Sequence, residues 1–424
     1  MRRHNVSETI LREAVRQLEQ NGFVRTSADG KGAVIVASSP LAVAAQVLST
    51  YLHLIDVKPS EILGFAAYYT PGMSVVASQR LQSAAVPALR DMAFDLATPK
   101  PWLGRVASMR GFFREIASIT TNPLFLAVSE VLFEAMAPQM LHTDEANDGR
   151  GRHIDRAAEL WRSVAEAMIA GDAGRIYTAF NWLDAATEYE RLSAERRRLA
   201  RAGAVHAVAP EILTMIDEPG HKRQLLAFQI AREILESGAE EGARVGQEGE
   251  LLTRYGVSRR EFREAARILE LHQICRMRRG NAGGLIVGAA SGDYAVQTAI
   301  SCLFHAGVSS WHARELRRLI EPRIAEQVAK AHRATALDLR KILASAEANA
   351  KSLERFRTVL VSAGDNRLAT LVSEVLARLD PPEGPAFLER QWKIAEALTD
   401  AVELGDGAVA ARCMTEFLDA KHAA

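Results

Sequence analysis

Along most of this chain apolar residues return every three or four positions, the period of an amphipathic helix rather than of a strand. The stretches LAVAAQVLSTYLHLI (41–55), REIASITTNPLFLAVSEVLFEAM (114–136), AAELWRSVAEAMIAG (157–171) and FLERQWKIAEALTDAVELG (387–405) show it most clearly. Their alanine- and leucine-rich make-up favours helix as well. Two short runs break the period: GAVIVAS (32–38) and GGLIVGA (283–289) are β-branched, opened by glycine, and read as strands. The pattern predicts a mainly α chain with two small strand-bearing segments.

Each strand signal follows the same helix pattern by about ten residues. VSETILREAVRQLEQNGF (6–23) and VSRREFREAARILELHQI (257–274) share a Val-Ser start, an Arg-Glu-Ala triplet and their apolar spacing, 251 residues apart. The likeness continues downstream. YYTPGMSVVASQRL (68–81) aligns with LIEPRIAEQVAKAH (319–332) at the same spacing, and GFFREIASITTNPL (111–124) aligns with ERFRTVLVSAGDNRL (354–368) at a spacing of 244. LWRSVAEAMIAGD (160–172) likewise matches ALTDAVELGD (397–406). The expectation is two tandem copies of a winged helix-turn-helix followed by an all-α bundle. The boundaries read as 1–38 for a partial first winged helix, 39–205 for the first bundle, 206–290 for a complete winged helix and 291–424 for the second bundle. Between the copies, ERRRLARAGAVHAVAP (195–210) runs from a charged helix into a small-residue linker.

Composition narrows the class without naming it. At 424 residues, 48% hydrophobic and 25% charged, the chain has the balance of a globular protein of two to four domains. No apolar run approaches the ~18 residues of a membrane span, and MRRHNVSETI carries no signal-peptide core. Three scattered cysteines, none in a C-x-x-C pair, fit reduced thiols and a cytoplasmic location. The formal net charge is zero, so any affinity for nucleic acid must come from a local patch.

One such patch exists. RQLLAFQIAREILESG (223–238), GELLTRYG (249–256) and VSRREFREAARILE (257–270) give helix, helix, tight turn, helix, the arrangement in which the last helix enters the major groove. Ser258 with Glu261 three residues on forms a capping box that fixes the start of that helix. Arg259, Arg263 and Arg267 follow at four-residue steps on one face, while Phe262, Ile268 and Leu269 turn the other way. The basic, glycine-rich RMRRGNAGG (276–284) then leads into a strand. Residues 251–290 hold eight arginines against three glutamates. Three arginines alone would read as an ordinary solvated helix face. The capping box, the preceding helices, the glycine-rich tip and the charge excess favour phosphate contact.

On these residues the chain resembles a known family. GELLTRYGVSRREFREAARILE with RRGNAGGLIV is similar to the winged helix-turn-helix of GntR-type bacterial regulators, and HARELRRLIEPRIAEQVAKAH (312–332) resembles the effector domain of their FadR branch, the FCD domain. The resemblance implies a repressor-type transcriptional regulator that binds double-stranded operator DNA, as a homodimer or, here, an intramolecular pseudo-dimer. It implies base or phosphate contacts from Ser258, Arg259 and Arg263 with Arg267 beside them, and a wing reaching the DNA through Arg278, Arg279 and Gly280. In the first copy Arg12 and Arg16 survive, but Glu8 replaces the first arginine and only five residues precede Val6. Ile10, Leu11, Val15 and Leu18 then lack the two helices that would cover them. Either the true start lies upstream of Met1, or a degenerate remnant docks on a neighbouring domain and binds DNA weakly.

The resemblance also bears on the bundles. Many FCD domains hold a metal through an Asp and three His, and those positions here are Met109, Phe113, Trp161 and Leu183 in the first copy and Leu353, Arg357, Ala395 and Phe417 in the second. None is a ligand, so no metal and no cofactor is expected. Phe113 and Trp161 either fill a core or line a cavity for an acyl-type effector. Arg357, near Phe417, either holds a small organic acid directly or turns to solvent. His305, His312 and His332 lie outside that register, and no catalytic motif appears, so no enzyme is expected. The competing reading is a sensor or protein-interaction module derived from such a regulator that no longer binds DNA.

Overall fold

A computed structural model describes residues 40–98, 102–141, 149–180, 221–278, 283–345, 349–381 and 385–420, with strands at 24–26 and 34–36 and positions 7, 10, 11, 15 and 18 before them. The fold is mainly α, and no described helix is long and apolar enough to cross a membrane. The chain forms two compact units, Met1–Val57 with His206–Gly307, and Lys58–Val205 with Val308–Ala424.

With elements numbered in chain order, the first unit opens on an antiparallel hairpin of β1 (Val24–Thr26) and β2 (Val34–Val36). Before it, the Ile10 amide donates to Ser7 Oγ at 3.3 Å, so the serine caps this turn without a glutamate partner. Ile10, Leu11 and Leu18 are exposed. There follow α1 (Pro40–Leu54), α8 (His221–Ser237), β3 (Arg244–Gly246), α9 (Glu248–Tyr255), α10 (Arg259–Leu271), β4 (Cys275–Arg278), β5 (Gly284–Val287) and α11 (Asp293–His305). The second sheet has the order β3-β5-β4, all antiparallel, with Cys275 opposite Val287 and Arg278 opposite Gly284. A side chain at Gly284 (φ 143°) would strike the Gly246 carbonyl, so glycine allows β3 and β5 to pair here. Leu226, Ile230 and Ile234 of α8, Leu251 of α9, Phe262, Ala266 and Leu269 of α10, and Leu285 and Val287 of β5 form one core. Each large apolar group buried there stabilises by about 1.5–3 kcal/mol.

The sequence places α1 and α11 at the head of the two bundles. Instead α1 packs along α11, and Leu54 enters the winged-helix core, so both helices group with the first unit. Strands β3 and β4 also went unanticipated. Each is only three or four residues long, too short to display a period of two.

The second unit contains α2 (Pro59–Arg80), α3 (Val86–Ala97), α4 (Trp102–Ile119), α5 (Pro123–Leu141), α6 (Gly149–Ile169) and α7 (Ala173–Ala179). It also contains α12 (Ser310–Ala331), α13 (Thr335–Ser345), α14 (Ala350–Ser362), α15 (Arg367–Leu379), α16 (Pro385–Leu404) and α17 (Gly407–Asp419). Helices α2 and α12 are both 22 residues long and carry a buried proline at the same place, Pro71 and Pro322. Left-handed backbone recurs at Thr121 and Asp365 and at Gly171 and Gly405. Asp172 and Asp406 each cap the helix that follows. Contacts between the halves are reciprocal. Asn122 Nδ2 donates to the His312 carbonyl at 2.9 Å, and Asn366 Nδ2 donates to the Glu61 carbonyl at 2.7 Å. His312 stands 251 residues after Glu61, the spacing of the sequence repeat.

Candidate nucleic-acid interface and effector cavity

Helix α9 ends at Gly256 in the left-handed conformation (φ 62°), which turns the chain sharply into α10. At the start of α10 the Glu261 amide donates to Ser258 Oγ at 3.3 Å, and the Ser258 amide donates to Glu261 Oε2 at 2.9 Å, completing the expected capping box. Glu270 Oε1 accepts from the Met277 amide at 2.7 Å and ties α10 to β4. The Tyr255 hydroxyl donates to Glu233 Oε2 at 2.6 Å and ties α9 to α8. Helix, turn, helix and wing are thus fixed to one another by side chains as well as by the core.

Arg259 and Arg263 project to solvent, their side chains 66% and 62% exposed. Both reach Glu248 Oε1 at the start of α9, at 3.3 and 2.9 Å. Arg267 does not share that surface. It is half-buried, with its Nε out of contact with solvent, and lines a cavity beside Val43 and Val47 of α1. A four-residue step drifts around the helix, and by the second step it has moved from solvent to the α1 side. On β4 the alternation exposes Arg276 together with Arg278. Arg279 and Gly280 at the wing tip, and Arg12 and Arg16 of the first copy, lie outside the described residues.

Arg276 and Glu248 are the two residues that sequence reasoning missed here. The alternation Cys-Arg-Met-Arg was the available sign for Arg276. Glu248 had none, since its partners lie a turn and a helix away.

In the second bundle Arg357 is buried, at 5% exposure, and belongs to an alternating chain of ions. Asp380 Oδ1 accepts from Arg314 at 2.6 Å, and Asp380 Oδ2 from Arg317 at 3.2 Å. Glu321 Oε1 accepts from Arg317 at 2.9 Å and from Arg357 at 3.4 Å, while the Ser373 carbonyl takes a second bond from Arg357 at 3.3 Å. Burial pulls the Arg357 guanidinium below its ordinary range against the pull of Glu321. At Arg317 burial acts the same way, but Glu321 and Asp380 outweigh it and raise the guanidinium. A cavity of about 250 Å³ opens beside this chain, lined by Arg317, Arg357, Arg378, Gln391, Leu353 and Phe417 among others. Three of the four residues in the sequence register (Leu353, Arg357 and Phe417) therefore converge on one space.

The first bundle differs. Trp161 sits at the centre of an aromatic cluster, with ring centroids 4.3 Å from Phe113, 5.8 Å from Phe112 and 5.0 Å from Phe180. Phe113 and Trp161 are buried against each other, and Leu183 lies outside the described residues. At the repeat's spacings of 251 and 244, Leu63, Ala66, Thr70, Phe113 and Met136 align in sequence with Arg314, Arg317, Glu321, Arg357 and Asp380. Among the described residues no group of three His, Cys, Asp or Glu side chains is placed to hold a metal ion.

No family model matches the chain, and no curated protein matches it. Among solved structures, a GntR protein of Streptococcus agalactiae is similar over 47% of this chain and 97% of its own, at 21% identity and a TM-score of 0.38.

Proposed function

We propose that this chain is a DNA-binding transcription regulator of the GntR type, FadR branch, built as a tandem duplication, in which one half reads DNA and the second bundle takes a small anionic effector. The observation that carries the first part is the pair Arg259 and Arg263, exposed on a capped helix that follows a left-handed glycine turn and stands beside a basic antiparallel wing. Such a helix presents its N-terminal side chains to base edges while wing arginines meet phosphate. The duplication is supported by the matched prolines, caps and left-handed residues, and by the reciprocal asparagine bonds. These make the second unit an intramolecular counterpart of a two-fold dimer.

The effector reading rests on the second bundle alone. Buried guanidinium groups beside a cavity suit a carboxylate or phosphate, which they bind directly without an ion. The first bundle fills the same region with aromatic and aliphatic side chains and has a structural role. No enzymatic activity is part of this reading, and the chain works as a metal-independent, cytoplasmic repressor.

The test is selection of bound duplexes from a random-sequence library by the purified full chain, followed by titration of the enriched sequence at two salt concentrations. The expected result is a recurring motif bound at least ~10³-fold more tightly than unselected duplex. No enrichment over unselected duplex would replace this reading with that of a sensor or protein-interaction module.

A further inference from the structure

Within the second unit, the contacts that join the earlier half (α2 to α7) to the later half (α12 to α17) are matched in position but not in kind. At the C-terminal end of α2, Arg80 Nη1 donates to Glu315 Oε2 of α12 at 3.3 Å, and Arg80 Nη2 reaches Glu315 Oε1. Asn122 Nδ2 donates to the same Glu315 Oε2 at 3.0 Å, and the guanidinium lies over the Trp311 ring, 5.5 Å from its centroid. At the N-terminal end of α2, Glu61 Oε1 accepts from the amide and from Nε of Arg367, both at 3.0 Å. Between these clasps, Leu319 of α12 fills the space that Gly72 of α2 leaves open. The side chains of Glu315 and Glu61 are only 18% and 12% exposed, so each carboxylate depends on its guanidinium more than on water. Burial raises the Glu61 carboxyl, but the bonds from Arg367 and Lys58 outweigh it and hold the group below its ordinary range.

The partners are not repeated across the sequence. At a spacing of 251, Glu61, Gly64, Gly72 and Arg80 align with His312, Glu315, Arg323 and Ala331, and at 244 Pro123 aligns with Arg367. A second copy of the later half, set on the same face of α12 and α15, would offer His312 to Arg367 and Ala331 to Glu315. It would also bring Arg323 against Leu319 in place of glycine. Both ion pairs are then lost, a largely buried carboxylate is left without its cation, and a side chain enters the place that Leu319 occupies. Two earlier halves fare no better: Arg80 would meet Gly64, and Glu61 would meet Pro123, which has no amide hydrogen to donate. The bonds from Asn122 and Asn366 alone are interchangeable, because they end on backbone carbonyls that any residue supplies. The asparagines therefore set the register, and the side chains select the partner. Attraction between unlike halves with conflict between like halves is how an interface excludes the wrong partner.

We propose that the face formed by α12 and the start of α15 is a heterotypic interface, which takes the earlier half of this chain and rejects a second copy of the later half. The proposal rests on the duplication reading, because it equates positions across the repeat. The bundle pair then closes within one polypeptide, and this face contributes nothing to association between chains.

The experiment is urea denaturation and sedimentation equilibrium of the full chain and three variants. The first, Glu61→Arg with Arg80→Glu, reverses the earlier half's side of both clasps. The second adds Glu315→Arg and Arg367→Glu, which restores both pairs with their signs exchanged. The third combines the first pair of changes with His312→Glu and Arg323→Gly, which match the later half to itself. The first variant should lose urea midpoint and keep the mass of the unmodified chain. The second should regain at least half of that loss, and the third should double its mass as concentration rises. If the first variant fails to fold, Arg80→Glu with and without Glu315→Arg makes the same comparison. A doubled mass in the first variant overturns the rejection of like halves and leaves the duplication reading standing. No recovery in the second overturns selection by charge. A third variant that keeps the unmodified mass overturns the equivalence of the two faces, and the duplication reading with it. DNA binding by the chain is untouched by any of these results.

Discussion

At the scale of single residues the exposed arginine surface of α10 is held together by an acid. Glu248 pairs with both Arg259 and Arg263, so under the proposed function DNA must displace that carboxylate to engage them. Glu248→Gln should raise affinity for unselected duplex by about 3- to 10-fold and steepen its salt dependence, because two arginines become available to phosphate. Unchanged affinity and slope, measured by fluorescence anisotropy between 50 and 200 mM salt, would show that the pairing does not restrain them. His272 makes a different prediction, about pH. Its folded value of about 4 lies below the ordinary 6.5, so the unfolded chain takes up the proton first as the pH falls. The stability this contributes is full above pH 6.5 and is lost as the pH drops toward 4, by an amount on the order of 3 kcal/mol. Urea denaturation at pH 7 and pH 4.5 should show that loss, reduced in His272→Phe. Tyr51 and Tyr294 flank the buried ring, and Arg223, Glu264 and Arg267 line the same cavity as His272. The capping box was legible in the sequence because Ser258 and Glu261 act within one turn. The place of Arg267 was not, because it depends on what packs behind α10.

Among elements, the long central helices show how far a repeat constrains packing. Gly72 in α2 stands where any added Cβ would overlap the side chain of Leu319 in α12, so glycine leaves Leu319 its place at this crossing. Gly72→Val should cost about 1–3 kcal/mol by forcing Leu319 aside, and chemical denaturation should show it. Gly111→Ala, a change that meets nothing within contact distance, is the control and should cost much less. The helices themselves were legible, since their apolar spacing runs over many turns, and so was the spacing between copies. The grouping of α1 and α11 was not. An amphipathic helix announces that one face is buried but not against which partner, and α1 and α11 bury theirs on each other. In the second bundle Leu353, Arg357 and Phe417, which the family resemblance brought together, line one cavity.

For the molecule as a whole, the two halves that the sequence repeat aligns differ in what they carry. Among the described residues the complete helix-turn-helix and the buried chain of ions both lie in the later half of the sequence. Helix α1 belongs to the same unit as α10, and the aromatic cluster around Trp161 lies in the second unit. In the sequence the difference between the halves shows at Glu8, which stands where the repeat has Arg259. The account stands or falls on α10. The most direct measurement is a gel shift on a selected duplex, at two salt concentrations, comparing the unmodified chain with Arg263→Ala and with Arg340→Ala, an exposed arginine of the second unit. The account predicts that Arg263→Ala abolishes the specific complex or weakens it at least tenfold, while Arg340→Ala binds as the unmodified chain does. Equal affinity of all three for the duplex would contradict it.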